Sequence, residues 1–223
     1  EYQMTRVIVF GTEQTAELAH YYLMNDSSFE VIGFTLSEDY IKENTFNGLP
    51  VYPYEKLDTL ISTDGTKLFA PTMASRVNHL RYDILQTGKK MGFSFISYLS
   101  SKATILSKDI GDNCFILEDN TIQPFVKIED NCMIWSGNHI GHHSTIKHSS
   151  FITSHCVISG NCKIGPYCYL GVNSTIRDNI CLEEGTMVGM ASSVTANKSQ
   201  PYCFISGDPG EVHPKLTSMR LLK

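Results

Sequence analysis

Five histidines lie between residues 139 and 155, and imidazole is the side chain best suited to moving protons at neutral pH. They are His139, His142, His143, His148 and His155. With an ordinary pKa of about 6.5, a histidine can take a proton from an attacking amine or hydroxyl, so this segment could supply a general base. Histidine is also a common metal ligand, which makes a metal site the competing hypothesis.

The cysteines suggest less chemistry than the histidines. The chain has seven cysteines but no CxxC pair, so neither a zinc site nor a disulfide framework is predicted. Five of the seven occupy one position of a repeat, where a thiol behaves as a compact core side chain. A thiol buried there has a raised pKa and no base beside it, so we do not expect a cysteine nucleophile.

A six-residue repeat must position the histidines. Every sixth residue from 110 to 194 is a branched aliphatic: Ile110, Ile116, Ile122, Ile128, Ile134, Ile140, Ile146, Ile152, Ile158, Ile164, Leu170, Ile176, Leu182, Val188 and Val194. This period fits neither an α-helix nor a simple strand. It predicts a triangular prism whose three faces take six residues each, so that every aliphatic side chain stacks on the one eighteen residues later.

Residue types at the predicted corners agree with a prism. The position three residues after the aliphatic often carries a residue that tolerates left-handed backbone, as at Asn113, Asn131, Asn161, Asn173 and Asn179. His142 lies two residues after Ile140, at the outward start of a corner. No two of the five histidines are eighteen residues apart, so they are not expected to converge on a metal.

The first hundred residues have a different pattern. Apolar segments at 6–11, 31–36 and 67–70 are predicted strands, and segments at 15–24 and 78–91 are predicted helices, which indicates a Rossmann-like α/β domain. Such domains bind ligands at the carboxyl ends of their strands. The candidate ligand-binding residues are therefore Gly11, Thr12, Glu13, Gln14, Thr35, Ser37, Thr72, Met73 and Ala74. The spaced glycines of the dinucleotide fingerprint are missing, so a domain that only packs or positions is the alternative.

Composition narrows the partners. A net charge of −5 gives no electrostatic reason to expect nucleic acid or an anionic membrane as partner. Charged residues make up 18% of the chain and hydrophobic residues 42%, which is typical of soluble globular proteins. No apolar run approaches the roughly 20 residues of a membrane span, and no signal peptide is recognised, so a cytoplasmic protein is expected.

The repeat resembles that of the hexapeptide acyltransferases, whose fold is a left-handed parallel β-helix that forms trimers. An α/β domain, a hexapeptide prism and the exit Gly207-Asp-Pro-Gly210 together resemble the bacterial sugar acetyltransferases of the bacillosamine-pathway and sialic-acid O-acetyltransferase-like group. The resemblance covers nearly the whole chain. The fold class implied is an α/β Rossmann-like domain at 1–99, an all-β left-handed parallel β-helix at 100–206, and a closing segment at 207–223.

The resemblance also implies ligands and an assembly. In that group the N-terminal domain holds the nucleotide of a nucleotide-linked sugar, and acetyl-CoA lies in the groove between neighbouring prisms. Acetyl-CoA is therefore the expected co-substrate, a nucleotide-linked amino sugar the expected acceptor, and a homotrimer the expected assembly.

His142 matches the catalytic histidine of the group, in the segment Ile140-Gly141-His142-His143. The group often has an acid just before or after this histidine, and here Gly141 and His143 stand at those places. Asp130, Glu129 or an acid of a neighbouring subunit could orient His142 instead. An exposed corner residue without a catalytic role is the alternative for His142.

The related enzymes carry a second histidine, near the thioester, nine residues after the first. That position is Phe151 here, so the role is either vacant or shifted to His155. His143 and His155 both fall at the corner position where Asn usually stands, so they could simply serve the turn. His148 is expected to be solvated.

Three glycines are candidates for contact with the coenzyme. Gly171 and Gly189 are eighteen residues apart, and Gly160 lies eighteen residues after His142. Missing side chains on successive rungs would leave a shallow groove suited to the amide-rich pantetheine arm. Glycines that merely ease the corners are the alternative.

The function predicted from these residues is transfer of an acetyl group to the amine of a nucleotide-linked sugar. His142 would be the general base, a backbone amide near Gly160 or Gly171 would stabilise the oxyanion, and transfer would be direct. Two alternatives stay open: a hydroxyl acceptor, as in sialic-acid O-acetylation, and a catalytically idle trimeric scaffold.

Overall fold

The computed structural model of the protein describes residues 4–222. Its N-terminal part is a five-stranded sheet with the order β3-β4-β2-β1-β5, parallel except for the β3–β4 hairpin. The strands are β1 (Thr5–Phe10), β2 (Phe29–Leu36), β3 (Thr45–Phe46), β4 (Leu49–Pro53) and β5 (Thr66–Phe69). The helices are α1 (Gln14–Asn25), α2 (Leu57–Leu60) and α3 (His79–Lys90), with 3₁₀ turns at Glu38–Tyr40 and Tyr54–Lys56.

Strand β1 lies between β2 and β5, and its apolar residues 7–10 are buried on both sides of the sheet. Val7 and Val9 pack with α1, whereas Ile8 and Phe10 pack with α2 and α3. The alternation of strand and helix predicted from the sequence is therefore observed. Strands β3 and β4 were not predicted.

The rest of the chain winds into three stacks of two-residue strands, which we call faces 1, 2 and 3. Face 1 contains Tyr98–Leu99, Phe115–Ile116, Met133–Ile134, Phe151–Ile152, Tyr169–Leu170 and Met187–Val188. Face 2 contains Thr104–Ile105, Thr121–Ile122, His139–Ile140, Val157–Ile158, Thr175–Ile176 and Ser193–Val194. Face 3 contains Asp109–Ile110, Lys127–Ile128, Thr145–Ile146, Lys163–Ile164 and Cys181–Leu182.

Strand pairing confirms the eighteen-residue rung. Ile140 pairs with Ile122 on one side and with Ile158 on the other, and every neighbouring pair in the stack is parallel. The repeat aliphatics from Ile116 to Val194 form one buried column. Five cysteines fill its small positions: Cys114, Cys132, Cys156, Cys162 and Cys168. The predicted three-sided parallel β-helix is confirmed, and its left hand stays a prediction from the resemblance.

The corners take the backbone that their residues favour. Left-handed φ angles occur at Asn113, Asn131, Asn161, Asn173 and Asn179, and also at His143 and His155. Because the chain runs from face 1 to face 2 to face 3, residues 141–144 form a 2–3 corner, 147–150 a 3–1 corner and 153–156 a 1–2 corner. His142, His148 and His155 therefore lie at three different corners.

The α/β part packs on the outer side of face 1. Phe115, Met133 and Phe151 point outward from this face and are buried in one cluster with Val7 and Val9 of the sheet. Arg81 of α3 is fully buried at the 3–1 corner, where it donates to the carbonyl oxygens of Asn131, Ser149 and Ser150. The two parts thus share a continuous apolar and hydrogen-bonded boundary.

The chain ends in a short hairpin. Strand Cys203–Gly207 runs parallel to Met187–Val188 and antiparallel to strand Gly210–Thr217, and helix Ser218–Leu221 follows. The segment Gly207-Asp-Pro-Gly210 is the turn of this hairpin. The domain boundaries at 99 and 206 stay predictions.

Candidate active site

His142 lies at the 2–3 corner with an exposed side chain. Its backbone N–H donates to Oε1 of Gln123 on the preceding rung, at 2.9 Å. Its ring lies against Gly160 on the following rung, where a Cβ would come 2.8 Å from Cε1 and 2.9 Å from Nε2. Glycine at position 160 therefore leaves room for the imidazole, as the spacing of eighteen predicts.

The side-chain partner of His142 is another imidazole. Nδ1 of His142 and Nδ1 of His143 lie 3.1 Å apart. Neither acid suggested from the sequence contacts His142, because both lie at the 3–1 corner. Glu129 pairs with Lys147 at 2.8 Å, and Asp130 accepts a hydrogen bond from Lys89 at 3.0 Å. Within this chain, the prediction that Glu129 or Asp130 orients His142 is wrong.

The other two corner histidines lie away from His142. His155 is exposed at the 1–2 corner, and its ring lies over Gly137. His148 is half-buried rather than solvated: it meets Tyr167 edge-on at 5.0 Å, and burial lowers the pKa of its imidazole. Phe151 is buried under the α/β part, so its position is closed to any coenzyme.

The glycines of the 1–2 corner do not form the groove predicted for them. Both Gly171 and Gly189 are buried. A Cβ on Gly171 would lie 2.6 Å from the backbone nitrogen of Met190, and one on Gly189 would meet the ring of Phe204 at 3.2 Å. Their missing side chains thus make room for the next rung and the C-terminal strand, because a Cβ at this repeat position points along the prism axis.

The backbone N–H groups of Gly160 and Gly171, the two candidates for binding the oxyanion, differ in their hydrogen bonding. The N–H of Gly171 donates to Val188 O at 2.8 Å, and that of Gly189 to Ile205 O at 2.8 Å. The N–H of Gly160 makes no hydrogen bond within residues 4–222. Of the two amides considered, only that of Gly160 is free to bind a developing negative charge.

A cavity of about 740 Å³ opens at the carboxyl ends of β1, β2 and β5. Six residues predicted to bind ligand line it: Gly11, Thr12, Glu13, Ser37, Thr72 and Met73. Gln14, Thr35 and Ala74 do not line it. Thr35 is buried and its hydroxyl donates to Tyr52 O at 2.9 Å, so that hydroxyl is committed to the sheet.

Sequence reasoning missed part of this cavity. Tyr40, Lys42 and Phe46 line it from the segment between β2 and β4. A segment rich in polar residues directly after a predicted strand was the available signal. The Thr72 hydroxyl oxygen is buried and unpartnered among the described residues, and the first turn of α1 also starts at this cavity. A ligand with hydrogen-bonding and anionic groups suits these donors.

Two classes of feature are absent from the described part of the chain. No helix in residues 4–222 is long and apolar enough to cross a membrane. Over the same residues, no group of three His, Cys, Asp or Glu side chains is placed to hold a metal ion.

The repeat is matched by a known family description. The model for the bacterial transferase hexapeptide (six repeats) matches residues 108–142, a segment that ends on His142. No curated protein matches the sequence.

Several solved acetyltransferase structures are similar over nearly the whole chain. The acetyltransferase domain of PglB from Neisseria gonorrhoeae FA1090 has a TM-score of 0.82 and 16% identity over 94% of this chain and 100% of that chain. PerB from Caulobacter crescentus, in complex with CoA and GDP-perosamine, has a TM-score of 0.83 and 18% identity over 95% and 98%.

WeeI from Acinetobacter baumannii AYE is also similar, with a TM-score of 0.69 and 18% identity over 94% and 100%. The similarity to sugar acetyltransferases stated from the sequence is therefore confirmed at the level of the fold. The roles of individual residues rest on the geometry above.

Proposed function

We propose that this chain is an acetyl-CoA-dependent acetyltransferase that acetylates the amine of a nucleotide-linked amino sugar. His142 is the general base, and the Gly160 amide binds the oxyanion. The observation that carries the proposal is the 2–3 corner, where an exposed imidazole lies over a glycine whose backbone N–H is uncommitted. A base and an oxyanion donor on neighbouring rungs are the two groups that acyl transfer to an amine requires.

The transfer is direct in this proposal. The acceptor nitrogen attacks the thioester carbonyl carbon, and Nε2 of His142 takes its proton as the new N–C bond forms. The C–S bond then breaks, and the leaving thiolate takes the proton from His142. The cysteine of this corner, Cys162, is buried, and burial raises the pKa of its thiol, which disfavours an acyl-enzyme route.

The cavity of the α/β part supports a nucleotide-linked acceptor. Its size suits a small-molecule ligand, and its lining combines the aromatic rings of Tyr40 and Phe46 with the cation of Lys42 and the start of α1. Aromatic rings can stack on a nucleobase, and the backbone N–H groups at a helix N-terminus together with a lysine can bind phosphate. The complex of the similar protein PerB with GDP-perosamine supports the same ligand class.

The coenzyme side of the proposal needs a second copy of the chain. His155, the coenzyme candidate of the 1–2 corner that is exposed, lies at a different corner from His142 and Gly160, which lie at the 2–3 corner. A single site that uses both corners forms only where two prisms meet. A trimer of left-handed prisms with acetyl-CoA bound between them brings the two corners together. The similar proteins PerB and the PglB domain were solved with CoA and acetyl-CoA respectively.

Calorimetry followed by an acceptor screen tests the proposal. We expect acetyl-CoA to bind with measurable heat. We also expect coenzyme thiol to appear when nucleotide-linked amino sugars are added, but not with the matching hydroxyl sugars. Thiol release with hydroxyl acceptors alone would show that the acceptor group is a hydroxyl and not an amine. If acetyl-CoA gives no measurable heat, the non-catalytic binding scaffold is favoured.

A further inference from the structure

The contact between His142 and His143 is unusual because it joins two like nitrogens. Their Nδ1 atoms are 3.1 Å apart, and the rings stand nearly perpendicular, at 86°. In neutral imidazole one nitrogen carries the hydrogen and the other accepts. A hydrogen bond between two Nδ1 atoms therefore fixes opposite tautomers on the two rings.

Only one of the two arrangements leaves His142 able to act. If His143 donates, His142 carries its hydrogen on Nε2 and its lone pair is occupied by His143. If His142 donates from Nδ1, the lone pair on its Nε2 is free to accept a proton. The second arrangement also survives proton uptake, because the imidazolium of His142 still donates from Nδ1 to a neutral His143.

The surroundings hold both rings in this contact. His143 packs against Phe125 on the preceding rung, with ring centroids 4.7 Å apart. Phe125 is 73% exposed and has a φ of 65°, a backbone conformation that is costly for a bulky residue. Gln123 anchors the backbone of His142, and Gly160 limits its ring from the other side.

No carboxylate takes the orienting role within the described chain. Neither imidazole makes a hydrogen bond or ion pair with an acid in residues 4–222. The charged residues of the 2–3 corner nearest to His142 are Lys108, Arg177 and Asp178, each two rungs away, and Arg177 pairs with Asp178. Lys198 lies farther along the prism and pairs with Glu211. The adjoining face 3 presents Asp109, Lys127 and Lys163.

We propose that His143 is the positioning residue of this site: it accepts a hydrogen bond from Nδ1 of His142 and so holds Nε2 of His142 unprotonated. The inference rests on the proposed function, in which His142 is the base. A neutral acceptor stabilises the imidazolium less than a carboxylate does. His142 paired with His143 therefore holds its proton less strongly than a histidine paired with a carboxylate would.

Nitrogen NMR of the full chain tests the tautomers directly. Histidine is labelled with ¹⁵N, and long-range ¹H–¹⁵N spectra are recorded at a pH where both rings are neutral. The His142→Gln and His143→Asn variants assign the signals. We expect His142 as the Nδ1–H form and His143 as the Nε2–H form. A neutral His142 that carries its hydrogen on Nε2 would overturn the inference.

Kinetics separate positioning from a structural role. We expect His143→Ala to lower kcat by about ten- to a hundredfold with KM unchanged, a loss bounded by that of the base itself. His143→Asn should restore most of kcat, because its amide oxygen accepts the same hydrogen bond and Asn suits the φ of 59°. Asn179→Ala, at the same kind of corner, is the control for alanine in left-handed backbone.

A carboxylate at position 143 gives a third readout. His143→Glu should move the acid limb of the pH–rate profile up by about one pH unit, because an anion stabilises the imidazolium. An unmoved limb would contradict the role of His143. The NMR spectra need no substrate, so a chain without acetyltransferase activity would still confirm or refute the tautomer.

Discussion

The side chain of His142 is exposed and yet held between Gly160 and His143, which suits the role of general base proposed for it. Replacing it by Ala removes the proton acceptor of the proposed mechanism and leaves the buried column of the prism unchanged, since the side chain lies outside that column. We expect His142→Ala to reduce kcat by about a hundredfold or more, with an unchanged melting transition. Coenzyme thiol release measures the first and circular dichroism the second. Near-normal turnover would remove His142 from the mechanism.

A substitution at Gly160 tests whether the position of the His142 imidazole affects turnover. The three atoms nearest to a Cβ at Gly160 all belong to the movable ring of His142, whereas a Cβ at Gly165 lies 2.6 Å from the backbone oxygen of Leu182. We expect Gly160→Ala to displace the imidazole and lower kcat about tenfold while stability hardly changes. Gly165→Ala should do the reverse, losing stability but not kcat per folded molecule. Equal losses of stability would contradict this separation.

Repeat arithmetic predicts where a site residue lies but not what its side chain touches. His142 and Gly160 were found because they are eighteen residues apart, and the structure places them in contact. The contact with His143 depends on two side-chain rotamers, which have no sequence period. The same arithmetic excludes Glu129, since it follows a strand of face 3 and so falls at the 3–1 corner.

At the scale of the elements, the sequence indicates that the outer side of face 1 is covered by another layer. The residue before the aliphatic is Phe115, Met133, Phe151 and Tyr169 on face 1, at intervals of eighteen. On faces 2 and 3 the same position carries mainly Thr, Lys or Asp. An apolar stripe on one outer face predicts that another layer covers it. The packing of the α/β part on face 1 was thus predictable, although its orientation there was not.

Arg81 fastens α3 to the prism through a buried cation. It donates to five oxygen atoms, four of them backbone carbonyls, and burial lowers the pKa of its guanidinium to about 10. We expect Arg81→Met to lower the free energy of unfolding by about 2 to 4 kcal/mol, because several buried acceptors lose their donor. Arg76→Met, which removes an exposed ion pair with Asp83, should cost less than about 1 kcal/mol. Equal costs in urea unfolding would refute this role.

Asp26 ties the end of α1 to the start of the prism. Hydrogen bonds from Ser101, Tyr98 and Ser100 lower the pKa of its carboxyl from 3.8 to about 2. Because the folded value lies below the unfolded one, this stabilisation is present above about pH 4 and is lost as the pH falls towards 2.

We therefore expect Asp26→Asn to flatten the acid dependence of stability between about pH 4 and pH 2. Urea midpoints measured across that range check it. Asp39→Asn is the control, since the exposed Asp39 makes no side-chain hydrogen bond within residues 4–222. A slope unchanged by Asp26→Asn would show that the three hydrogen bonds do not favour the carboxylate.

For the whole molecule, strictly periodic and long segments were predictable, and short irregular ones were not. The prism follows from fifteen aliphatics in register, and β1 from an apolar run. The hairpin β3–β4 has a first strand of only two residues, too short for a periodic signal. Strand Gly210–Thr217 is largely exposed, so it lacks the alternation of apolar and polar residues that marks a half-buried strand. It also contains a proline, which is uncommon inside strands.

The distribution of charge on the prism indicates how copies would assemble. Face 1 is covered, and face 3 presents Asp109, Lys127 and Lys163 to solvent. None of the outward residues of face 2 is an Asp, Glu, Lys or Arg: they are Thr104, Thr121, His139, Val157, Thr175 and Ser193. An uncharged face suits a buried interface better than a charged one. If three copies direct face 2 towards a common axis, the 2–3 corner of each copy meets the 1–2 corner of its neighbour.

That arrangement unites His142 and Gly160 of one copy with His155 of the next, and it makes activity depend on assembly. Val157 is 40% exposed at the middle of face 2. We expect Val157→Lys to bring three like charges together at the axis and to convert a trimer, three times 25.0 kDa, into an inactive monomer. Thr145→Lys on face 3 should leave both mass and activity unchanged. Light scattering and thiol release measure the two properties, and an active monomer would rule out a site shared between copies.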